Sequence, residues 1–532
     1  MPTDCISFKD TGFFSSLIVD YLDASPQLEP FYNQFPTVKH FKSQIESKKH
    51  FSRATRTTLV SVLKSQYSNI DTSDLTDQNI EILKQDNTFT ITTGHQLNLF
   101  TGPLYFLYKI VSTINLANQL KQDYPEYNFV PIYWMATEDH DFEEISFFNL
   151  HGAKIHWNHK TEGAVGRLST DGLQDVLEVF KAKLGSSPNA EYLKALFENA
   201  YLKHHNLADA TRFLANELFK DYGLVILDAD DADLKKQFIP YLEKEIEGQL
   251  SFKKVSETNQ QINSLPKNYN IQVNPREINL FYLDAGVRER IIYKEDLYSV
   301  LDTDITWTQS EILEDIRKHP ERFSPNVIMR PLYQEVILPN LCYIGGGGEL
   351  AYWLQLKSYF DAVKVPFPML LLRNSVLIET EKQAKKLQKL NISNKDIFLE
   401  KHALINKKVR QISNIDIDFS PQKTHLKQQF ESLYKLAEQT DKSFLGAVAA
   451  QERKQVKGLE NLEKRLLKAQ KRKLADHVAR VSDLKAQLFP NGTLQERTLN
   501  FSEFYLEYGE TLIPTLFKHL QPLQAEFLVL SL

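Results

Sequence analysis

The sequence predicts an α/β protein, with a mainly parallel sheet carrying two insertions and an α-helical coiled coil behind it. Three observations carry that expectation. Short buried runs alternate with helical periodicities between about 86 and 375. Polar clusters follow several of those runs directly, and beyond 376 the chain turns into Lys-, Glu-, Gln- and Leu-rich helix.

The totals set the frame. A chain of 532 residues is too long for one ordinary core, and 42% hydrophobic with 25% charged residues is a globular composition. A net charge of −5 speaks against a chain whose main task is gripping nucleic acid. Cys5 and Cys342 are the two cysteines, too few for a disulfide framework or a cysteine-based zinc site. The start, Met1-Pro2-Thr3-Asp4-Cys5, lacks a basic n-region and an apolar h-region, and no apolar run is long enough to span a bilayer. A cytoplasmic protein that engages neither membrane nor nucleic acid is expected.

Residues 1–85 read as a helical preamble packed on the core, with an apolar face at Phe13, Phe14, Leu17, Ile18, Tyr21 and Leu22. The first core strand is Phe89-Thr90-Ile91. It breaks at Thr93-Gly94-His95-Gln96 and passes through Leu99-Phe100-Thr101-Gly102-Pro103 into a helix to about 121. Such a break leaves backbone N–H groups and a helix dipole above the strand's carboxyl end. His95 is then either a satisfied loop histidine or a ligand contact. A second strand at 129–136 ends in Thr137-Glu138-Asp139-His140-Asp141-Phe142-Glu143-Glu144. The helix between the strands makes a right-handed βαβ unit, whose ligand crevice lies at the carboxyl ends.

Alternation lapses over about 146–215, a first insertion with helices at 190–203 and 208–220. A third strand, 224–227, runs into the acids of 228–233, which either cap the next helix or meet a ribose hydroxyl or Mg²⁺. A second insertion, about 250–325, holds hairpin-like strands at 278–283 and 287–293 around Asp284-Ala285-Gly286. The core returns with Arg330-Pro331 and Gln334, then a strand through 341–344 leading to four glycines, 345–348, and Glu349. Those glycines, Gly346 and Gly347 among them, permit close backbone approach, while Glu349 suits a substrate ammonium as well as the turn suits an anion. A last buried strand ends in Arg373.

From 376 to 488 two apolar seams, one at Leu426, Phe430, Leu433 and Leu436 and one at Leu459, Leu462 and Leu466 continuing to Leu488, describe antiparallel helices that turn near 440. Interleaved acids make their charges a solvated face. Residues 489–532 are expected as helices returning to the core. They begin with an Asn491-Gly492 turn and a capping box at Thr493-x-x-Glu496 that opens a helix to about 508. Asn491 and Arg497 are either turn chemistry with a surface ion pair or ligand contacts.

Taken together, Thr93-Gly94-His95-Gln96 with Leu99–Tyr105, Glu138 to Glu144, Arg330-Pro331 with Gln334, the glycines before Glu349, and Pro490-Asn491-Gly492-x-Leu494-Gln495-Glu496-Arg497 resemble the BshC family, to which cysteine ligation in bacillithiol biosynthesis is ascribed. The resemblance implies a nucleotidyltransferase-like Rossmann core related to class I aminoacyl-tRNA synthetases, two connecting insertions and a coiled coil that mediates homodimerisation. The implied activity is the last pathway step, joining the cysteine carboxyl to the amine of glucosaminyl-malate. Amide formation from a free carboxylate is uphill, so ATP is the expected co-substrate and an adenylate the expected intermediate, with Mg²⁺ as an open alternative at the carboxylates of 138–144.

In that scheme Thr93, Gly94, Asn491 and Arg497 hold the nucleotide, with His95 on the developing phosphate charge. The chain lacks a plain His-x-Gly-His pair and a Lys-Met-Ser-Lys-Ser loop, which makes Arg373 a candidate replacement cation. His140, between Asp139 and Asp141, is the expected base. Glu349 faces the cysteine ammonium and Arg330 the malyl carboxylates, while Gln96, Gln334, Gly346 and Gly347 complete the substrate side. The rival is a non-catalytic nucleotide- or metabolite-binding scaffold, and the acidic balance disfavours tRNA charging. Every version requires these distant stretches to meet in one crevice.

Overall fold

The structure is a computed structural model that describes residues 3–159, 163–440 and 442–532. Met1 and Pro2 of the expected preamble, 160–162 of the first expected insertion and Asp441 at the expected turn of the arm lie outside the described residues.

Five parallel strands form the centre. Their spatial order is Met369–Leu372, Asn340–Gly345, Thr88–His95, Asn128–Met135 and Val225–Asp228. All eight residues of Thr88–His95 are buried, as a parallel strand covered on both faces requires, and its threonines and Ile91 suit the pleated surface. The helix Tyr105–Asp123 makes the crossover to the second strand and buries most of its length. From Thr88–His95 the chain builds outward to the second and third strands, then returns to lay Asn340–Gly345 along the opposite side. The strand order therefore reverses between Thr88–His95 and Asn340–Gly345, and a Rossmann-like sheet binds its ligands outside such a reversal.

The first insertion carries a hairpin, Phe147–Leu150 with Ala153–His156, and the helices Leu173–Leu184, Pro188–Tyr201 and Leu207–Phe219. The second carries the helices Ile239–Gly248 and Leu250–Asn263 and more strand than the sequence suggested. The expected hairpin, here Leu280–Asp284 with Val287–Lys294, is the middle of a five-stranded antiparallel sheet completed by Leu297–Val300, Thr306–Trp307 and Phe323–Pro325.

Both termini depart from an all-helical expectation. Thr3–Ser7, Glu526–Ser531 and Val376–Glu379 form a three-stranded sheet, with the apolar run Phe527–Leu530 buried between the other two strands. The expected helix over 494–508 starts only at Phe501, capped by Asn500, whose Oδ1 accepts from Ser502 N at 3.0 Å. The capping box at Thr493 does not form. Glu496 is drawn instead to Arg373 at 2.7 Å, because a buried guanidinium stabilises a carboxylate more than an exposed helix end does.

The arm is built from Ser420–Ala437 and Lys442–Lys473, followed by Ala475–Leu488. Its seam is rotated from the expected one: Phe430, Ala437 and Val448 pack with Leu426 and Tyr434. Leu433, Leu436 and Leu462 are exposed. A Tyr at helical spacing from Leu426 and Phe430 completes the stripe, which a count of leucines alone overlooks.

Candidate active site

At the strand-order reversal lies a cavity of about 670 Å³. It gathers residues scattered over four hundred positions: Gly94, His95 and Gln96; Asp139 and His140; Arg330; Gly346 and Glu349; Arg373; and Arg497.

Glu349 anchors the floor. Its carboxylate accepts from Lys109 Nζ, from Tyr343 Oη and from the Gly346 backbone N–H, each at 2.7 Å. Lys109 also donates to the Gly94 carbonyl at 2.6 Å. A Cβ at Gly94 would lie 3.1 Å from the Tyr343 hydroxyl, tighter than an ordinary contact. Burial alone would push the Glu349 carboxyl up, yet Lys109 and the two other donors hold it below the usual range. Burial lowers the Lys109 ammonium, with Glu349 opposing. The charge expected to face a substrate ammonium is thus already matched from within the protein.

His95 is also placed differently from expectation. Its ring is buried against Tyr105 and Phe106, and desolvation, then the nearby Lys109 charge, lowers its pKa to about 3. A neutral imidazole is no phosphate cation. Nε2 is buried without a hydrogen-bond partner among the described residues, which leaves one polar atom beside the cavity for a ligand to satisfy.

His140 accepts at Nδ1 from an Arg288 guanidinium N–H at 2.6 Å. Arginine only donates, so in this contact Nδ1 is the acceptor, and Nε2 is the ring nitrogen left to meet a ligand. Asp139 is bonded to Gln96 Nε2 at 3.0 Å and to the His140 backbone N–H at 2.8 Å. Burial raises its carboxyl, but the His140 ring, with Nδ1 3.5 Å away, these donors and Arg288 hold it well below the ordinary range. Glu138, paired with Lys235 at 2.7 Å, is pushed up by burial.

Arg330 stands over Trp134 and Tyr343, 5.7 and 5.8 Å from their ring centroids, and donates to Gln334 Oε1 and to the Tyr352 hydroxyl. Arg373 is tied to Glu496, which also accepts from the Val376 backbone N–H, so its charge is matched as well.

Five expected residues lie outside the lining. Thr93 donates across the sheet to the Ile344 carbonyl at 2.7 Å. Gln334 is buried and bonded to Glu335, so it steadies Arg330 instead of meeting a ligand. Gly347 faces Ile18 and Phe14. Asp141 caps the short helix Phe142–Ile145 and borders a separate, more open cavity of about 610 Å³ that His140 shares. Asn491 is an exposed turn residue with φ of 55°, which is the turn chemistry foreseen as its alternative. Of the acids after the third strand, Asp231 caps the helix Ala232–Lys236, while Asp228 and Asp230 bind Thr137, Arg167 and Lys235.

Among the described residues no group of three or more His, Cys, Asp or Glu could hold a metal ion. The expected Mg²⁺ position around 138–144 does not fit, because Asp139 is committed to Gln96 and His140, and Asp141 to its helix cap. Seven cationic side chains line the cavity, of which Lys109 and Arg373 are matched by carboxylates. Four of these, Lys109, Arg276, Arg288 and Arg290, escaped the sequence reading. A single lysine inside the apolar stretch Tyr105–Val111 was the available signal for Lys109. Arginines at alternate positions of one strand were the signal for Arg288 and Arg290.

The family model described as "Bacillithiol biosynthesis BshC, N-terminal Rossmann-like domain" matches residues 1–374. The model "Bacillithiol biosynthesis BshC, C-terminal coiled-coil domain" matches residues 376–532. A protein of Flavobacterium johnsoniae is 62% identical over 533 residues, covering all of both chains. One of Christiangramia forsetii is 60% identical, covering 100% of this chain and 99% of its own. One of Cytophaga hutchinsonii is 38% identical, covering 97% and 96%. Each of the three bears the name "Putative cysteine ligase BshC".

Proposed function

The chain belongs to the BshC family of bacillithiol biosynthesis, and from that premise we propose that it is the ligase that joins cysteine to the amine of glucosaminyl-malate. The observation that supports this most is the single cavity at the strand-order reversal, where unpaired guanidinium groups surround a floor of internally matched charges.

In this reading a cysteine carboxylate oxygen attacks the α-phosphorus of ATP and pyrophosphate leaves. The glucosaminyl nitrogen then attacks the cysteinyl carbonyl carbon, AMP departs with the carboxylate oxygen, and the nitrogen sheds a proton. Arg330 and Arg497 take the phosphate charge together with backbone N–H groups near Gly94 and Gly346. Nε2–H of His140 donates to an oxygen that gains charge in the transfer. Glu138 takes the amine proton, since burial makes it a stronger base than Asp139. Magnesium enters with the nucleotide.

Incubating the purified chain with cysteine, glucosaminyl-malate, ATP and Mg²⁺ is expected to yield bacillithiol with one AMP and one pyrophosphate per product. ADP and phosphate would replace the adenylate by an acyl phosphate. Ligand binding without turnover would favour the scaffold reading. We also propose a homodimer through the arm, supported by the exposed Leu433, Leu436 and Leu462. Light scattering is expected to report twice the chain mass, and a monomer would remove that part. No helix among the described residues is long and apolar enough to cross a membrane.

A further inference from the structure

We propose that the second insertion carries the specificity element of the site, an arginine face formed by Arg276 and Arg290, with Arg288 beside them, that binds the two carboxylates of a small dicarboxylate. The proposal rests on the ligase reading for the identity of the acceptor, but on the charge distribution for the binding itself.

Lys109 and Arg373 each have a carboxylate partner. Among the described residues Arg276, Arg290, Arg330 and Arg497 line the same cavity with no carboxylate within ion-pair distance. Lining acids do not restore the balance, because Glu138 is held by Lys235 and Asp139 lies beside Arg288. The surplus is positive and divides by origin. Arg330 and Arg497 come from outside the insertion, as do the lining turns at Gly94 and Gly346 whose backbone suits phosphate. Arg276 and Arg290 stand on the insertion.

The insertion is built to present them. Arg288 and Arg290 lie two apart on the strand Val287–Lys294, hence on one face, and pair across the hairpin with Leu283 and Phe281. The Arg288 guanidinium stacks over the Phe281 ring at 3.9 Å, and its buried Nε has no hydrogen-bond partner among the described residues. Arg276 belongs to an irregular run, yet its backbone is clamped at both polar groups. Its N–H donates to Asn279 Oδ1 at 3.0 Å, and its carbonyl accepts from Asn279 Nδ2 at 2.8 Å. Asn279 is in turn held by the buried carboxylate of Glu245. Burying a carboxylate without a cation is costly. Here it fixes the stretch that carries a solvent-exposed arginine, which lowers the ordering cost of binding.

Forked guanidinium donors match planar carboxylates two bonds at a time. Among the described residues that the insertion gives to the lining, none is a glycine or opens a helix, so the backbone donors that phosphate favours are missing from its share. Carboxylates are therefore the better fit, and the malyl group of the acceptor supplies two. This moves the dicarboxylate contact from Arg330 to the insertion.

The test is calorimetric titration of the full chain with L-malate and, separately, with ATP. In an Arg276→Ala/Arg290→Ala variant malate affinity is expected to fall on the order of 30-fold, with ATP affinity changed by less than about twofold. The Arg276→Lys/Arg290→Lys pair, which keeps the charge and guards against misfolding, is expected to bind malate more tightly than the alanine pair. Unchanged malate affinity, a parallel loss of ATP binding, or a wild-type chain that does not bind malate would each overturn the assignment. Malate binding is measured without turnover, so a failure of ligation would count against the proposed function alone.

Discussion

Two cation–carboxylate pairs, one in the cavity wall and one on the surface helix Glu381–Lys389, differ chiefly in their access to water. Arg373 and Glu496 meet at 2.7 Å with side chains 4% and 1% exposed. Lys385 and Glu381 meet at 2.9 Å with 69% and 78% exposed. Water competes fully for the second pair, so breaking it costs little. At the first, removing either partner strands a charge in a low-dielectric interior. The lesson is that charge density along the chain says little about organisation. Burial decides which charges hold the molecule together.

The comparison is sharpest where the loss is largest. Glu496→Ala should cost about 3–5 kcal/mol of stability, read from urea unfolding, because Arg373 is left buried and the Val376 N–H loses its acceptor. A loss under about 1 kcal/mol would mean that water reaches Arg373 and that the two regions are alike. Next comes Glu138→Gln, which should slow amide formation on the order of 100-fold at neutral pH, with ATP binding intact by calorimetry. An unchanged rate would take the base role away from the buried wall.

Smaller still is a pH effect. The unfolded chain protonates His95 near its ordinary 6.5, whereas the buried ring resists protonation until about 3. Within that window the unfolded state binds the extra proton, so stability falls as pH drops. Between pH 6.5 and 5 this amounts to about 1.6 kcal/mol. Stability of His95→Asn measured over the same range should lack that component, and identical slopes would show that the ring is not desolvated. The smallest effect is Glu381→Ala, expected within about 0.5 kcal/mol in the same unfolding assay.

Much of the frame was legible in the letters. Four of the five central strands carry a contiguous apolar run and the other, Thr88–His95, alternates threonine with Phe89 and Ile91, each with a glycine or polar cluster at its end, so local pattern is enough to find them. The small sheet was missed although Phe527–Leu530 is plainly apolar, because so short a run has no period of its own and its partners, Thr3–Ser7 and Val376–Glu379, lie far away in sequence. The capping box at Thr493 failed for a related reason: a local preference of about 1 kcal/mol yields to a buried charge pair.

The sequence by itself determined the strand–helix alternation, the clusters at the strand ends and the helical arm, since each follows from side-chain spacing along a few turns or pleats. Only the tertiary structure decided which charges are matched. Lys109 with Glu349, Arg373 with Glu496, and Arg288 with His140 are pairs 240, 123 and 148 residues apart. Such pairings are set by the crossing of the chain at the sheet edge and by the exclusion of water there. Neither quantity is written in any local stretch of residues.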